Sequence, residues 1–314
     1  MNNSPLIYIA SVSPRSGTNY LGRLIGKHSS CALVSDGEDH FLAKSDLLEI
    51  FAERVYSHWS SKWTLKKENE SGDIMNGIGK GLVGFLRDQV VNEKDKCGDC
   101  NYTVVTKTPY PKNIHLFREL FQAGFLVVLI RDGRAVAESR MRTFDESFDE
   151  AVQGWRRGAR EVIQFVQEYG WSSQRHLTLR YEDVYRNSAD ELRRLFDLVG
   201  LDPSSYPYSD LEEVEIVGSS TYGRRDGDVT WEAKQDDGSF NPLNRFRDWG
   251  REKHERFEWL AGDEHRKLRY TTTKPDVSPS VFRNYLLDAT QIPKNVKRAT
   301  RDKLRNIVFS YVTG

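Results

Sequence analysis

Pro14-Arg15-Ser16-Gly17-Thr18-Asn19 follows directly on the apolar run Leu6 to Val12, and a basic, glycine-containing turn between a strand and a helix is a means of holding a phosphate. The strand carries the chain to the end of a sheet, Gly17 lets the backbone come close to an anion, and the amides opening the next helix are donors with a partial positive charge. A Walker A loop needs G-x-x-x-x-G-K-S/T. This segment has one glycine, and its basic residue precedes that glycine. A nucleotide kinase or NTP hydrolase of P-loop type is therefore the weaker enzyme reading, and a non-catalytic nucleotide-binding module is a further alternative.

Outward from that turn, Phe125 to Ile130 reads as a fully buried parallel strand that ends in Arg131-Asp132-Gly133-Arg134 and continues to Ser139. A basic residue at the carboxyl end of such a strand points into the crevice where open α/β sheets bind ligands. Ser139 lies about two helical turns further on, so Arg131 and Ser139 would grip one phosphate together. The same pattern runs through the chain. Helical spacing is predicted over 18–28, 46–63, 74–91, 114–122, 148–169, 189–199 and 242–262, and extended segments over 31–34, 102–106 and 176–180. Strands alternating with helices predict an α/β fold, a parallel sheet covered on both faces.

Together these segments resemble the sulfotransferases that use 3′-phosphoadenosine 5′-phosphosulfate (PAPS), in which a P-K/R-S/A-G-S/T loop holds the 5′-phosphosulfate and an R-D/N-x-R/K-x-x-x-x-S segment holds the 3′-phosphate. Leu179-Arg180-Tyr181-Glu182-Asp183-Val184 is similar to the family's Y-E-D-L/V segment, and Gly218-Ser219-Ser220 through Trp231 and Trp249 resembles its cofactor-covering C-terminal loop. The resemblance spans roughly residues 5 to 270. It implies a P-loop-type three-layer fold, with 1–270 as the sulfotransferase domain, a covering loop at about 203–241, and 271–314 as a helical extension packed on that domain. It also implies PAPS as co-substrate, adenosine 3′,5′-bisphosphate as product, and a hydroxyl-bearing acceptor.

Carried onto this chain, the resemblance makes Arg15 the candidate for the bridging oxygen and the 5′-phosphate, with Ser16, Gly17, Thr18 and Asn19 adding amide and hydroxyl donors. Arg131, Ser139, Tyr181, Ser219 and Ser220 complete the expected nucleotide contacts, Arg224 and Arg225 being further phosphate candidates. Lys107, in Val105-Thr106-Lys107-Thr108-Pro109, is the candidate for the sulfuryl group. Family members acting on small molecules place a histidine after K-T/S; here Pro109 stands there. Gly37-Glu38 matches instead the G-E segment of the tyrosylprotein and several bacterial members, which makes Glu38 the candidate general base, with His40 and Asp36 as rivals. Glu182 and Asp183 are read as helix caps, and Trp155 and Trp231 as packing residues.

Composition bounds the rest. The chain has 314 residues and a formal net charge of zero, which argues against nucleic acid as its main partner. It has neither a signal-peptide pattern after Met1 nor a run of about eighteen apolar residues, so a cytoplasmic location is expected. Cys97-Gly98-Asp99-Cys100 offers two ligands where structural zinc takes four, so no metal is expected. The tail from Lys294 to Val312 pairs an apolar stripe with six basic residues; it is read as a helix docked on the body, with a weak contact to an anionic surface as the alternative.

Overall fold

Strand β1 (Leu6–Ser11) alternates its side chains between two hydrophobic clusters, Leu6, Tyr8 and Ala10 entering one and Ile7 and Ile9 the other. That period-two division is what a strand covered on both faces requires. The computed structural model describes residues 5–35, 37–90, 102–214, 224–225, 228–229, 241–271 and 280–288. Five parallel strands form the sheet: β1, β2 (Cys31–Leu33), β3 (Thr103–Thr108), β4 (Phe125–Ile130) and β6 (His176–Arg180). An antiparallel edge, β5 (Ser172–Ser173), completes the order β2-β3-β1-β4-β6-β5. The expected central parallel sheet is thus present, with an antiparallel edge of two residues hairpinned onto β6.

On one face lie α1 (Thr18–Gly26), α8 (Tyr181–Arg186) and α9 (Ser188–Val199), which bury Leu21, Leu24, Val184, Leu195 and Phe196 against Ile9, Val127 and Leu179. The other face is covered by α2 (Ser45–His58), α4 (Ser71–Asp88), α5 (Phe117–Leu120), α6 (Gly133–Phe144), α7 (Phe148–Tyr169) and α10 (Arg251–Lys267), with the short α3 (Thr64–Glu68) between α2 and α4 in the chain. Trp155 of α7 is wholly buried there. The chain leaves β1 toward β3 and β2 on one side and returns across β1 to β4 on the other. The carboxyl ends of β1 and β4 therefore flank a topological switch point, where α/β sheets hold ligands.

The stretch predicted as helix from 242 is turns as far as Gly250, and α10 begins at Arg251. Residues 281–288 are helical and dock on α10 through Arg256, which donates to Asp288 Oδ1 at 2.7 Å and Asn284 Oδ1 at 3.1 Å. The predicted tail helix 294–312, Cys97 and Cys100 lie outside the described residues.

Candidate active site

The turn leaving β1 is braced from within. Ser11 and Ser16 both donate their hydroxyls to the Ser13 carbonyl, at 3.0 and 2.7 Å. Arg15 (φ 76°) and Gly17 (φ 98°) adopt left-handed backbone, and turns of this kind gather successive amides into a concavity that suits an anion. Gly17 is required twice over, because besides its φ a Cβ there would lie 2.4 Å from the Tyr181 ring. Helix α1 starts without an acidic residue in its first turn and without a side-chain cap, so the positive end of its dipole is not offset.

Across the switch point, Arg131 leaves β4 and is buried, 5% exposed. Its guanidinium donates to the Arg15 carbonyl at 2.8 Å and the Pro242 carbonyl at 2.5 Å, and stacks over the Tyr181 ring at 4.3 Å. The Nε of Arg131 has no hydrogen-bond partner among the described residues. A buried cation with a donor to spare, beside the start of α1, suits an oxyanion. Ser139, one face of α6 further on, accepts from Arg15 Nε at 3.2 Å. Arg15, Arg131, Ser139, Tyr181 and Gly17 thus converge, while Thr18 and Asn19 open α1 beside them.

The end of β4 is held from behind. Asp132 caps α6 by accepting from the Arg134 amide at 2.9 Å, binds the Arg134 guanidinium at 2.6 Å, and meets His265 Nε2 at 3.1 Å. Although burial works against its charge, these partners hold the Asp132 carboxyl well below the usual carboxylate range. Glu182, read from the sequence as a cap, instead accepts from the Asp132 amide and from the Tyr270 hydroxyl, both at 2.9 Å. Trp155 donates its indole N–H to the Arg131 carbonyl at 3.1 Å. Arg140 clamps the first loop, donating to Ser13 Oγ at 2.9 Å while it grips Glu146 at 2.7 and 2.6 Å.

On the other side of the loop, Ser35, Gly37 and Asp39 are fastened to β3. The Lys107 ammonium is fully buried and donates to the carbonyls of Ser35 and Gly37 at 2.9 and 2.6 Å. Asp39 accepts from Thr106 Oγ1 at 2.6 Å, from the Phe41 amide at 2.7 Å, and from the Tyr8 hydroxyl. Glu38 projects between these anchors, with its side chain 31% exposed and 3.6 Å from His40 Nε2. Burial raises the Glu38 carboxyl above its ordinary value; His40, Lys107 and Arg15 oppose that rise, and Asp39 adds to it. A carboxylate with a raised pKa among cations has the attributes of a general base.

Asp36, Ser219, Ser220 and Trp231 lie outside the described residues, as do the side chains of Arg224 and Arg225. Arg245, a cation for which the sequence gives no signal, joins Arg15 at the site. Burial and the proximity of Arg131 and Arg15 pull the Arg245 guanidinium down to about 9, Arg142 adding a smaller repulsion, and burial and Arg131 pull Arg15 down to about 10. Both remain charged at neutral pH. Asp39 was also passed over. Nothing in the spacing of these residues separates them from a solvated helix face or a loop acid; only the folded contacts do.

Residues 5–205 match the family described as "Sulfotransferase family". The chain belongs to the sulfotransferase family. Sulfuryl transfer is that family's chemistry. None of the curated proteins matches this sulfotransferase. Among solved structures it is similar to a sulfotransferase domain from the curacin biosynthetic pathway, with a TM-score of 0.50 and 17% identity over 86% of this chain and 99% of that one. It is also similar to a sulfotransferase from Alicyclobacillus acidocaldarius, with a TM-score of 0.42 and 16% identity over 67% and 88% of the two chains. A mouse sulfotransferase complexed with PAP gives 0.43 and 10% over 86% and 90%. Among the described residues of this sulfotransferase no helix is long and apolar enough to cross a membrane, and no group of His, Cys, Asp and Glu is placed to hold a metal ion.

Proposed function

We propose that this sulfotransferase uses PAPS and moves its sulfuryl group to a hydroxyl acceptor, with Glu38 as general base. The observation that carries this reading is the convergence of Arg15, Arg131, Ser139 and the start of α1 at the switch point, with Glu38 electrostatically coupled to Arg15. Arg131, Ser139 and Arg245 would hold the 3′-phosphate, and Arg15 with the 14–19 loop the 5′-phosphosulfate. As the acceptor oxygen bonds to sulfur and the bond from sulfur to the phosphate oxygen breaks, Glu38 takes the hydroxyl proton. Arg15 stabilises the charge left on adenosine 3′,5′-bisphosphate. Positioning and electrostatics of this kind can supply most of the acceleration without a metal.

Lys107 remains the candidate for contact with the sulfuryl group and takes a second part beside it. Its ammonium ties down the Ser35 and Gly37 carbonyls and lowers the Glu38 pKa, so it keeps the base ionised and in place.

The test is transfer of label from sulfur-labelled PAPS to hydroxyl compounds, with one adenosine 3′,5′-bisphosphate formed per label transferred. Melting temperature should rise with adenosine 3′,5′-bisphosphate and not with ATP or GTP. Stabilisation by ATP or GTP instead would favour the kinase or hydrolase reading. Bisphosphate binding without transfer to any acceptor would leave a non-catalytic module.

A further inference from the structure

A cavity of about 350 Å³ opens at the end of the sheet opposite the switch point, where Leu6 starts β1 and Gly124 precedes β4. The length of β1, roughly 16 Å of extended chain, separates it from the turn that carries Arg15. Its volume falls near the lower end of the roughly 300–1,000 Å³ of small-molecule sites.

Helix α4 makes one wall. Gly79 is pressed onto the end of α5, where a Cβ would lie 1.6 Å from the Leu120 carbonyl oxygen, and that contact fixes how closely the helix approaches the sheet. Gly84, further along the same helix, also lines the cavity, yet a Cβ there would meet nothing within 4 Å. One glycine brings the helix in, and the other leaves room beside it. Val83, Leu120 and Phe121 make the adjoining lining apolar.

Two cations of α4, Lys80 and Arg87, share the lining, and none of the described residues there is Asp or Glu. The Arg87 guanidinium reaches the Tyr102 carbonyl at 3.5 Å, a long contact, while its Nε is buried without a hydrogen-bond partner among the described residues. Its donors are thus largely unspent. A purely apolar occupant would leave them so, and a cationic one would meet two like charges with no acid to offset them.

We propose that this cavity is a second ligand site, separate from the nucleotide site, and that it takes a small amphiphilic carboxylate. The apolar body lies against Val83, Leu120 and Phe121 beside the bare backbone of Gly84. The carboxylate accepts hydrogen bonds from the Arg87 guanidinium and lies near the Lys80 ammonium.

The test is calorimetric titration of the full chain with sodium octanoate, octanol and octyltrimethylammonium, each with and without saturating adenosine 3′,5′-bisphosphate. Octanoate should bind roughly ten- to a hundredfold more tightly than octanol, as a charge-assisted hydrogen bond requires, and the cation more weakly still. The bisphosphate should not displace it. Arg87→Gln should abolish the preference for octanoate over octanol. Gly84→Leu should fill the cavity and remove octanoate binding while melting temperature holds or rises, since leucine is the better helix former and meets open space there. Loss of binding without loss of stability separates an occupied site from a damaged fold. Absence of octanoate binding to the parent protein overturns the proposal, as does octanol binding equally well. Displacement of octanoate by the bisphosphate, or unchanged octanoate binding in both variants, overturns it too, because the carboxylate would then lie elsewhere.

Discussion

Glu38 owes its raised pKa to burial and its ionisation to the cations around it, and the two influences can be separated by mutation. As the proposed base, Glu38 would work only when deprotonated, so kcat should fall on the acid side with an inflection above the ordinary carboxylate value. Glu38→Gln keeps the shape of the side chain and removes the acceptor for the proton. Turnover should drop about a hundredfold or more, with bisphosphate binding and melting temperature little changed. His40→Ala removes a neighbour that lowers the Glu38 pKa, so the acid limb should persist and move to higher pH. If Glu38→Gln were fully active and His40→Ala inactive, the proton would belong to the histidine.

Among the elements, α7 fixes the site most directly, because Gly158 approaches the loop leaving β1 so closely that a Cβ would lie 1.8 Å from the Val12 carbonyl. Gly158→Ala must push the helix from the loop, and overpacking of this kind costs about 1–3 kcal/mol. Chemical denaturation should register that loss, and bisphosphate affinity should fall with it because Ser13 and Arg15 move. Unchanged stability and affinity would show that the loop is held elsewhere. The same helix was fully legible in the sequence: its bounds, 148–169, are as the periodicity predicts, with a capping box between Ser147 and Glu150 at one end and Gly170 at the other. The strand before Arg131 was legible for a related reason, six consecutive apolar residues closed by a charge. The start of α10 was not. Pro242 to Gly250 has helical-looking spacing, but Arg131 binds the Pro242 carbonyl and Trp249 donates to Glu138 Oε2 at 2.8 Å, so that segment is shaped by contacts with β4 and α6 far away in the chain. Arg245 was hidden for that reason too.

At the scale of the molecule, zero formal net charge conceals an uneven distribution, for Arg15, Arg131, Arg142 and Arg245 all act electrostatically on one another or on a shared neighbour at the switch point. Burying these cations, and secondarily gathering like charges, destabilises the folded chain, and the depressed pKa values of Arg15 and Arg245 express that cost. An anion bound between them would relieve it. Arg245→Met should therefore do two opposite things: raise the melting temperature of the nucleotide-free protein, and weaken adenosine 3′,5′-bisphosphate. Loss of a charge-assisted hydrogen bond worth about 1.5–3 kcal/mol corresponds to roughly ten- to a hundredfold in affinity. The sign with pH follows. Because the depressed folded pKa of Arg245 lies near 9, the cost of its buried charge and of the repulsion is present below that pH and fades as pH rises through it, so the stability advantage of the mutant should shrink above about pH 9. Scanning calorimetry of both proteins across that range, with and without the bisphosphate, measures all three effects. A mutant less stable than the parent at neutral pH and equal to it in bisphosphate affinity would mean that Arg245 is a structural residue, and that the nucleotide is held by Arg15, Arg131 and Ser139 without it.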